Sequence, residues 1–194
     1  MKIDTCSSLN CLENLQRHQL NFHGALDSAQ RFGKHTSILR RSHVKIIAVD
    51  PGVTTGVAWA DFSEEGIPEL HTSMPKGFEA ACTLFERFGG SPYRSNFDLL
   101  VIERFSITAK TATKTREGSN LAIELIGVAK WVALQCGLKV EEQSPADAKN
   151  FASDMKLRKL GWYTPGPDHA RDATRHLLLA AVRHKAIDLK YLIP

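Results

Sequence analysis

Cysteine is scarce in this sequence: four in 194 residues, at Cys6, Cys11, Cys82 and Cys136. So few and so scattered a set excludes a disulfide scaffold, and reduced thiols in a cytoplasm are the expectation. No apolar run approaches the length of a membrane span, and the first residues lack the basic and apolar regions of a secretory signal. No internal repeat is present. What remains, 43% hydrophobic and 24% charged residues, is the composition of one ordinary globular domain with a substantial core.

Net charge is +4, but it is unevenly spread: residues 1–43 carry +3, residues 44–103 carry −5 and residues 104–194 carry +6. A local basic excess favours a face for a polyanion over a uniformly cationic surface. Residues 1–43 hold four of the eight histidines and show no sustained alternation, so they read as a flexible N-terminal arm. Cys6, Cys11, His18 and His23 are zinc-ligand types, but six residues separate the two pairs where a finger uses about twelve.

From Val44 the pattern is α/β. "VKIIAV" is a strand buried on both faces, "PGVTTG" a turn and "VAWADF" its hairpin partner. A short third strand falls near Glu69–Ser73. Phe78, Ala81, Cys82, Phe85 and Phe88 then share a helix face. "FDLLVIE" is a fourth strand ending on a carboxylate, a long helix runs from about Ser119 to Cys136, and "LKVEEQ" is a fifth strand. Ser144 N-caps one short helix with Pro145 at its first position, and "GPDHARDATRHLLLAA" opens the last helix.

Three acids fall at the ends of these elements. Asp50 follows the first strand, Glu103 ends the fourth, and Asp172 sits in the first turn of the last helix. Asp168 and His169 precede Asp172 by four and three residues, so all three share one helix face. Such hard donors suit divalent cations such as Mg²⁺, and two ions about 4 Å apart can activate water in phosphodiester cleavage. Plainer readings exist for each residue. "DPG" is a common turn, Asp168 suits a helix cap, His169 alone reads as structural, and His176 packs beneath the site. Glu103 resists a plain reading, because an acid ending "LLVI" is costly unless paired or metal-bound.

"IIAVDPGVTTGVAWA", "LLVIERF", "SPADAK" and "HARDATRHLLLAA" resemble, in order and spacing, the RuvC-type Holliday-junction resolvases of the RNase H-like superfamily. The resemblance covers residues 44–185 and is that of a divergent member of the kind carried by phages or plasmids. It implies an RNase H-like mixed five-stranded sheet flanked by helices over residues 44–194. It further implies a Mg²⁺-dependent endonuclease (Mn²⁺ substituting) that acts as a homodimer on four-way DNA junctions, in a bacterial or phage-infected cytoplasm. Asp50, Glu103, His169 and Asp172 then match the metal ligands, and Lys149 of "SPADAK" matches a basic residue beside the scissile phosphate. One departure is visible: the family's aromatic stands three positions after the glutamate, whereas Phe105 stands two after Glu103.

For substrate grip, "RFSITAKTATKTR" has no acid at all and offers Arg104, Lys110, Lys114 and Arg116 among hydroxyl residues, a composition suited to phosphates. Lys156, Arg158 and Lys159 beside Trp162 and Tyr163 form a second basic and aromatic patch, with core packing the plainer role for Trp162. Twelve of the seventeen residues of Asn120–Cys136 are apolar, enough for one face on the sheet and a second on a twofold mate. Two other classes compete. One is a branched-nucleic-acid binder without catalysis. The other is an actin-like ATPase lobe, which "DPGVTTG" also suggests but which needs two such lobes.

Overall fold

The computed structural model describes residues 44–89, 95–105, 116–166 and 168–193, with the side chains of 87–89 and 116–119 outside the description. The expectations for residues 1–43, and for Lys110 and Lys114, fall outside these residues. The elements are β1 Lys45–Asp50, β2 Gly56–Asp61, β3 His71–Ser73, α1 Phe78–Gly89, β4 Leu99–Glu103 and α2 Arg116–Gln135. They continue as β5 Lys139–Gln143, α3 Pro145–Phe151, α4 Asp154–Lys159, α5 Asp168–Arg183 and a 3-10 turn Leu189–Tyr191.

The five strands form one mixed sheet in the order β3-β2-β1-β4-β5. β1 pairs antiparallel with β2 and parallel with β4, and β4 pairs parallel with β5. Two cores follow from the strand alternation. Ile46, Ala48, Ala58, Ala60, Leu99 and Val101 face α5, through Ala173, Leu177, Ala180 and Ala181. Ile47, Val49, Val57, Leu100 and Ile102 face the other way, onto Ala81 and Phe85 of α1 and Leu125, Ala129 and Ala133 of α2. The α5 side of the sheet is rich in alanine, which lets that helix lie close.

Several local expectations shift. The stretch after β5 is two short helices rather than one, because Ser153 interrupts it and caps α4 by accepting from the Lys156 backbone N–H. Ser144 stands at the N-cap of α3 with Pro145 after it, but its side chain makes no cap hydrogen bond. Phe78 is exposed at the start of α1 instead of joining its apolar face. Among the described residues, no helix is long and apolar enough to cross a membrane.

Candidate active site

The sheet register sets the site. Asp50 is paired with Gly56 across the hairpin, and Glu103 with Gln143 across the parallel ladder. The last β1–β4 pair is Val49 with Ile102, so Asp50 and Glu103 end neighbouring strands side by side. Gly56, Asp50, Glu103 and Gln143 therefore make one row across four strands, with adjacent strands about 4.8 Å apart. Asp50 shares the strand face of Ile46 and Ala48, and Glu103 that of Leu99 and Val101, so both turn toward α5.

Helix α5 crosses this row with three polar side chains on one face. His169 Nδ1 lies 3.0 Å from Asp50 Oδ2 at one end. His176 Nε2 lies 2.8 Å from Glu103 Oε2 at the other, and its Nδ1 lies 3.0 Å from Gln143 Oε1. Asp172, between them in sequence, pairs with Lys149 at 3.0 Å and with Arg175. Arg175 also reaches Asp154 at 2.5 Å. The close approach of helix and hairpin depends on Gly56, where a Cβ would overlap the carbonyl group of His169 and lie 2.9 Å from the Ala170 nitrogen.

The hairpin loop is closed without Asp50. Thr55 Oγ1 donates to the Gly52 carbonyl at 3.0 Å, and the Thr55 and Gly77 backbone amides bond Pro75 and Val53 across the loop. The carboxylate of Asp50 is thus left for the site rather than spent on its turn.

Electrostatics mark the same spot. Asp50 and Asp172 are both buried. Burial pushes the Asp50 carboxyl up to about 6, the charge of Glu103 adds to the rise, His169 opposes it and Asp172 adds again. Asp50 and the two carboxylates that raise it offer hard oxygen donors of the kind that suit a divalent cation. In this arrangement their partners are the chain's own: His169, His176, Lys149 and Arg175. Among the described residues, no three His, Cys, Asp or Glu side chains are gathered closely enough to form a ready coordination shell. The residue types fit a cation; to hold one, the side chains would have to turn from these partners.

The other expected residues are placed as follows. Asp168 is the first residue of α5 and pairs with Arg171. Arg104 is exposed one residue past Glu103, its backbone N–H bonded to the Gln143 carbonyl at 2.7 Å. Arg116 begins α2. Lys156 Nζ bonds the Phe151 carbonyl at 2.6 Å and lies 4.3 Å above the Phe151 ring. Lys159 bonds the Ile193 carbonyl, and Arg158 stacks 3.5 Å above Tyr163. Trp162 is in the core, edge-on to Phe62, with its indole N–H on the Pro68 carbonyl. Sequence reasoning missed Arg175, Gln143 and Gly56, and it gave His176 packing without a partner.

No protein-family model and no curated protein matches the chain. Among solved structures it is similar to Thermus thermophilus RuvC in complex with Holliday junction substrate, at 17% identity and a TM-score of 0.55. That match covers 74% of this chain and 98% of the other. A second Thermus thermophilus RuvC structure matches at 17% identity and a TM-score of 0.54, covering 73% and 97%. At this identity the likeness is one of fold: a mixed five-stranded sheet flanked by helices, in the RNase H-like α/β architecture of RuvC.

Proposed function

We propose that the protein is a divalent-cation-dependent endonuclease that cuts branched DNA, four-way junctions first, as a homodimer. The observation that carries this reading is the row of strand ends bearing Asp50 and Glu103, faced by Asp172 and His169 of α5 on this fold. The fold likeness to Thermus thermophilus RuvC in complex with Holliday junction substrate supports the choice of DNA.

Asp50, Glu103, Asp172 and His169 would hold Mg²⁺ or Mn²⁺. The cation supplies a water made nucleophilic at neutral pH and charge to stabilise the leaving oxygen. Lys149, half-exposed beside Asp172, is placed to exchange its carboxylate partner for a backbone phosphate. Arg104, with Lys110, Lys114 and Arg116, supplies a sequence-independent grip on phosphates near Glu103. The homodimer rests on α2, whose sheet face is Leu125, Ala129 and Ala133. Its outward side leaves Ile123, Trp131 and Leu134 exposed, by 59% and 72% for the last two. Such a stripe on a helix that already buries one face is suited to a twofold contact.

The test is incubation with four-way, Y-shaped, linear duplex and single-stranded DNA, in Mg²⁺ or EDTA. Paired nicks in the four-way junction, abolished by EDTA, are expected. Tight junction binding without cutting in either condition would favour the binder, and ATP hydrolysis without DNA the actin-like ATPase alternative.

A further inference from the structure

His169 and His176 each touch a site acid, but they are built differently. The His169 side chain is 46% exposed and meets Asp50 through one nitrogen. That of His176 is 1% exposed and is held at both ring nitrogens. The direction of each hydrogen bond along this second chain follows from its outer end. Burial pushes the Glu141 carboxyl up, yet hydrogen bonds from His184, Gln143 and Arg183 hold it below its ordinary range. Glu141 is thus an acceptor only. Gln143 must turn its amide nitrogen to Glu141, at 3.0 Å, which leaves its amide oxygen facing His176 Nδ1. An amide oxygen only accepts, so Nδ1 carries a hydrogen, and Nε2 is left for Glu103. Arg183 and His184 fasten the outer end at 3.1 and 2.9 Å.

We infer that Gln143 and His176 are positioning residues for Glu103. They form a two-piece strut, footed on Glu141, that fixes where the Glu103 carboxylate points. The inference rests on Glu103 being a site acid, as proposed above. Support of this kind around a metal-binding carboxylate or histidine is worth about 10–100-fold in cation affinity or rate. It also accounts for two fully buried polar side chains, Gln143 and His176, by giving each its partners.

Two substitutions separate positioning from packing. At a fully buried position, packing alone favours His176→Leu over His176→Gln, because a buried amide needs partners. Positioning favours Gln, whose side-chain amide falls near the Nε2 place and can either donate to or accept from Glu103. The full chain and both variants are compared for melting temperature, for Mn²⁺ affinity without DNA by water-proton relaxation, and for turnover of pre-bound junction. The strut predicts that Leu loses about 10–100-fold in affinity or turnover while melting no lower than Gln, and that Gln recovers most of the loss. Equal function of the two, or function that tracks melting temperature, overturns it. A third readout is independent of the reaction. Imidazole NMR of the wild type should show an exchange-protected Nδ1–H of His176 that is lost or exposed in Gln143→Met. If the wild type cuts no DNA, the proposed reaction falls, and Mn²⁺ affinity with this resonance decides the strut. If Mn²⁺ also fails to bind, the resonance decides it: absent, or unmoved by Gln143→Met, the strut is overturned.

Discussion

Gly56 of the hairpin lies directly beneath the backbone of His169, so that any side chain at position 56 would occupy the His169 carbonyl. Gly56 is also the register partner of Asp50. One contact therefore fixes how closely the first turn of α5 comes to the first acid. Gly56→Ala should cost about 1–3 kcal/mol by overpacking. It should cost far more in cutting than that loss alone, because relief requires α5 to move away from Asp50. Gly52→Ala is the control: its Cβ would meet only the Thr54 carbonyl, at 3.4 Å. Melting curves and junction cleavage on both variants check this, and full activity in Gly56→Ala would contradict it.

Asp50 should make the protein less stable as pH rises. Its carboxyl is raised from 3.8 to about 6 by burial and by Glu103, with His169 opposing. Between those values the unfolded chain has lost the proton and the folded protein retains it. Stability thus falls through that window and stays low above it, by about 2–3 kcal/mol at most. Asp50→Asn should melt higher than wild type above pH 6, with the gap closing near pH 4, while cutting is lost. Mg²⁺ should restore part of the wild-type deficit. Thermal melts across pH, with EDTA or Mg²⁺, measure it; parallel curves for the two proteins would be the wrong outcome.

The two cations on Asp172 should separate by what they do. The Arg175 side chain is 13% exposed and bridges Asp172 to Asp154, so Arg175→Met leaves a buried carboxylate with only the half-exposed Lys149 and should cost about 2–4 kcal/mol. The Lys149 side chain is 52% exposed, and its pair contributes about 0–1 kcal/mol. Lys149→Met should therefore leave the melting temperature nearly unchanged while slowing cleavage. Denaturant titration beside single-turnover kinetics distinguishes the pair.

Among the basic residues, exposure and partners rank the expected losses on DNA. Arg104→Gln should reduce the salt dependence of junction binding by about 0.9 in slope, the amount for one phosphate contact. Lys156→Gln should leave that slope unchanged and lower stability instead, since its ammonium is held by the last residue of α3. Binding isotherms at several salt concentrations provide the comparison.

The exposed stripe on α2 gives a prediction about assembly. Trp131→Glu with Leu134→Glu should yield a folded monomer, because both side chains point away from the sheet. Light scattering at micromolar concentration reads the mass. A wild type that is monomeric while cutting junctions fully would remove the dimer.

The placement of the candidate acids was legible because they sit at transitions in pattern. Asp50 and Glu103 each close a run of buried apolar residues, and His169 and Asp172 fall three apart at the start of an apolar helix. What joins these elements was not legible, since the contacts of Gly56, Gln143 and His176 are made between elements distant in sequence. Gly56 read as a turn residue, yet its role is to admit a neighbouring backbone. Gln143 carried a faint signal: it ends β5 as Glu103 ends β4, and parallel strands in register bring such ends together. For Lys156, local composition suggested a DNA-facing role, whereas for Trp162 core packing was already the plainer reading. The folded chain uses the first on the C-terminal carbonyl of α3 and the second as core beside Phe62.

The row of strand ends has a consequence for how such a protein can diversify. Asp50 and Glu103 are spaced by a hydrogen-bond ladder, and the third acid by a helix resting on a glycine; no connecting loop sets any of these distances. Segments that connect these elements can therefore lengthen, shorten or change charge without moving the acids relative to one another. On the proposed function, substrate choice and chemistry would then be inherited as separate parts, each open to change without the other.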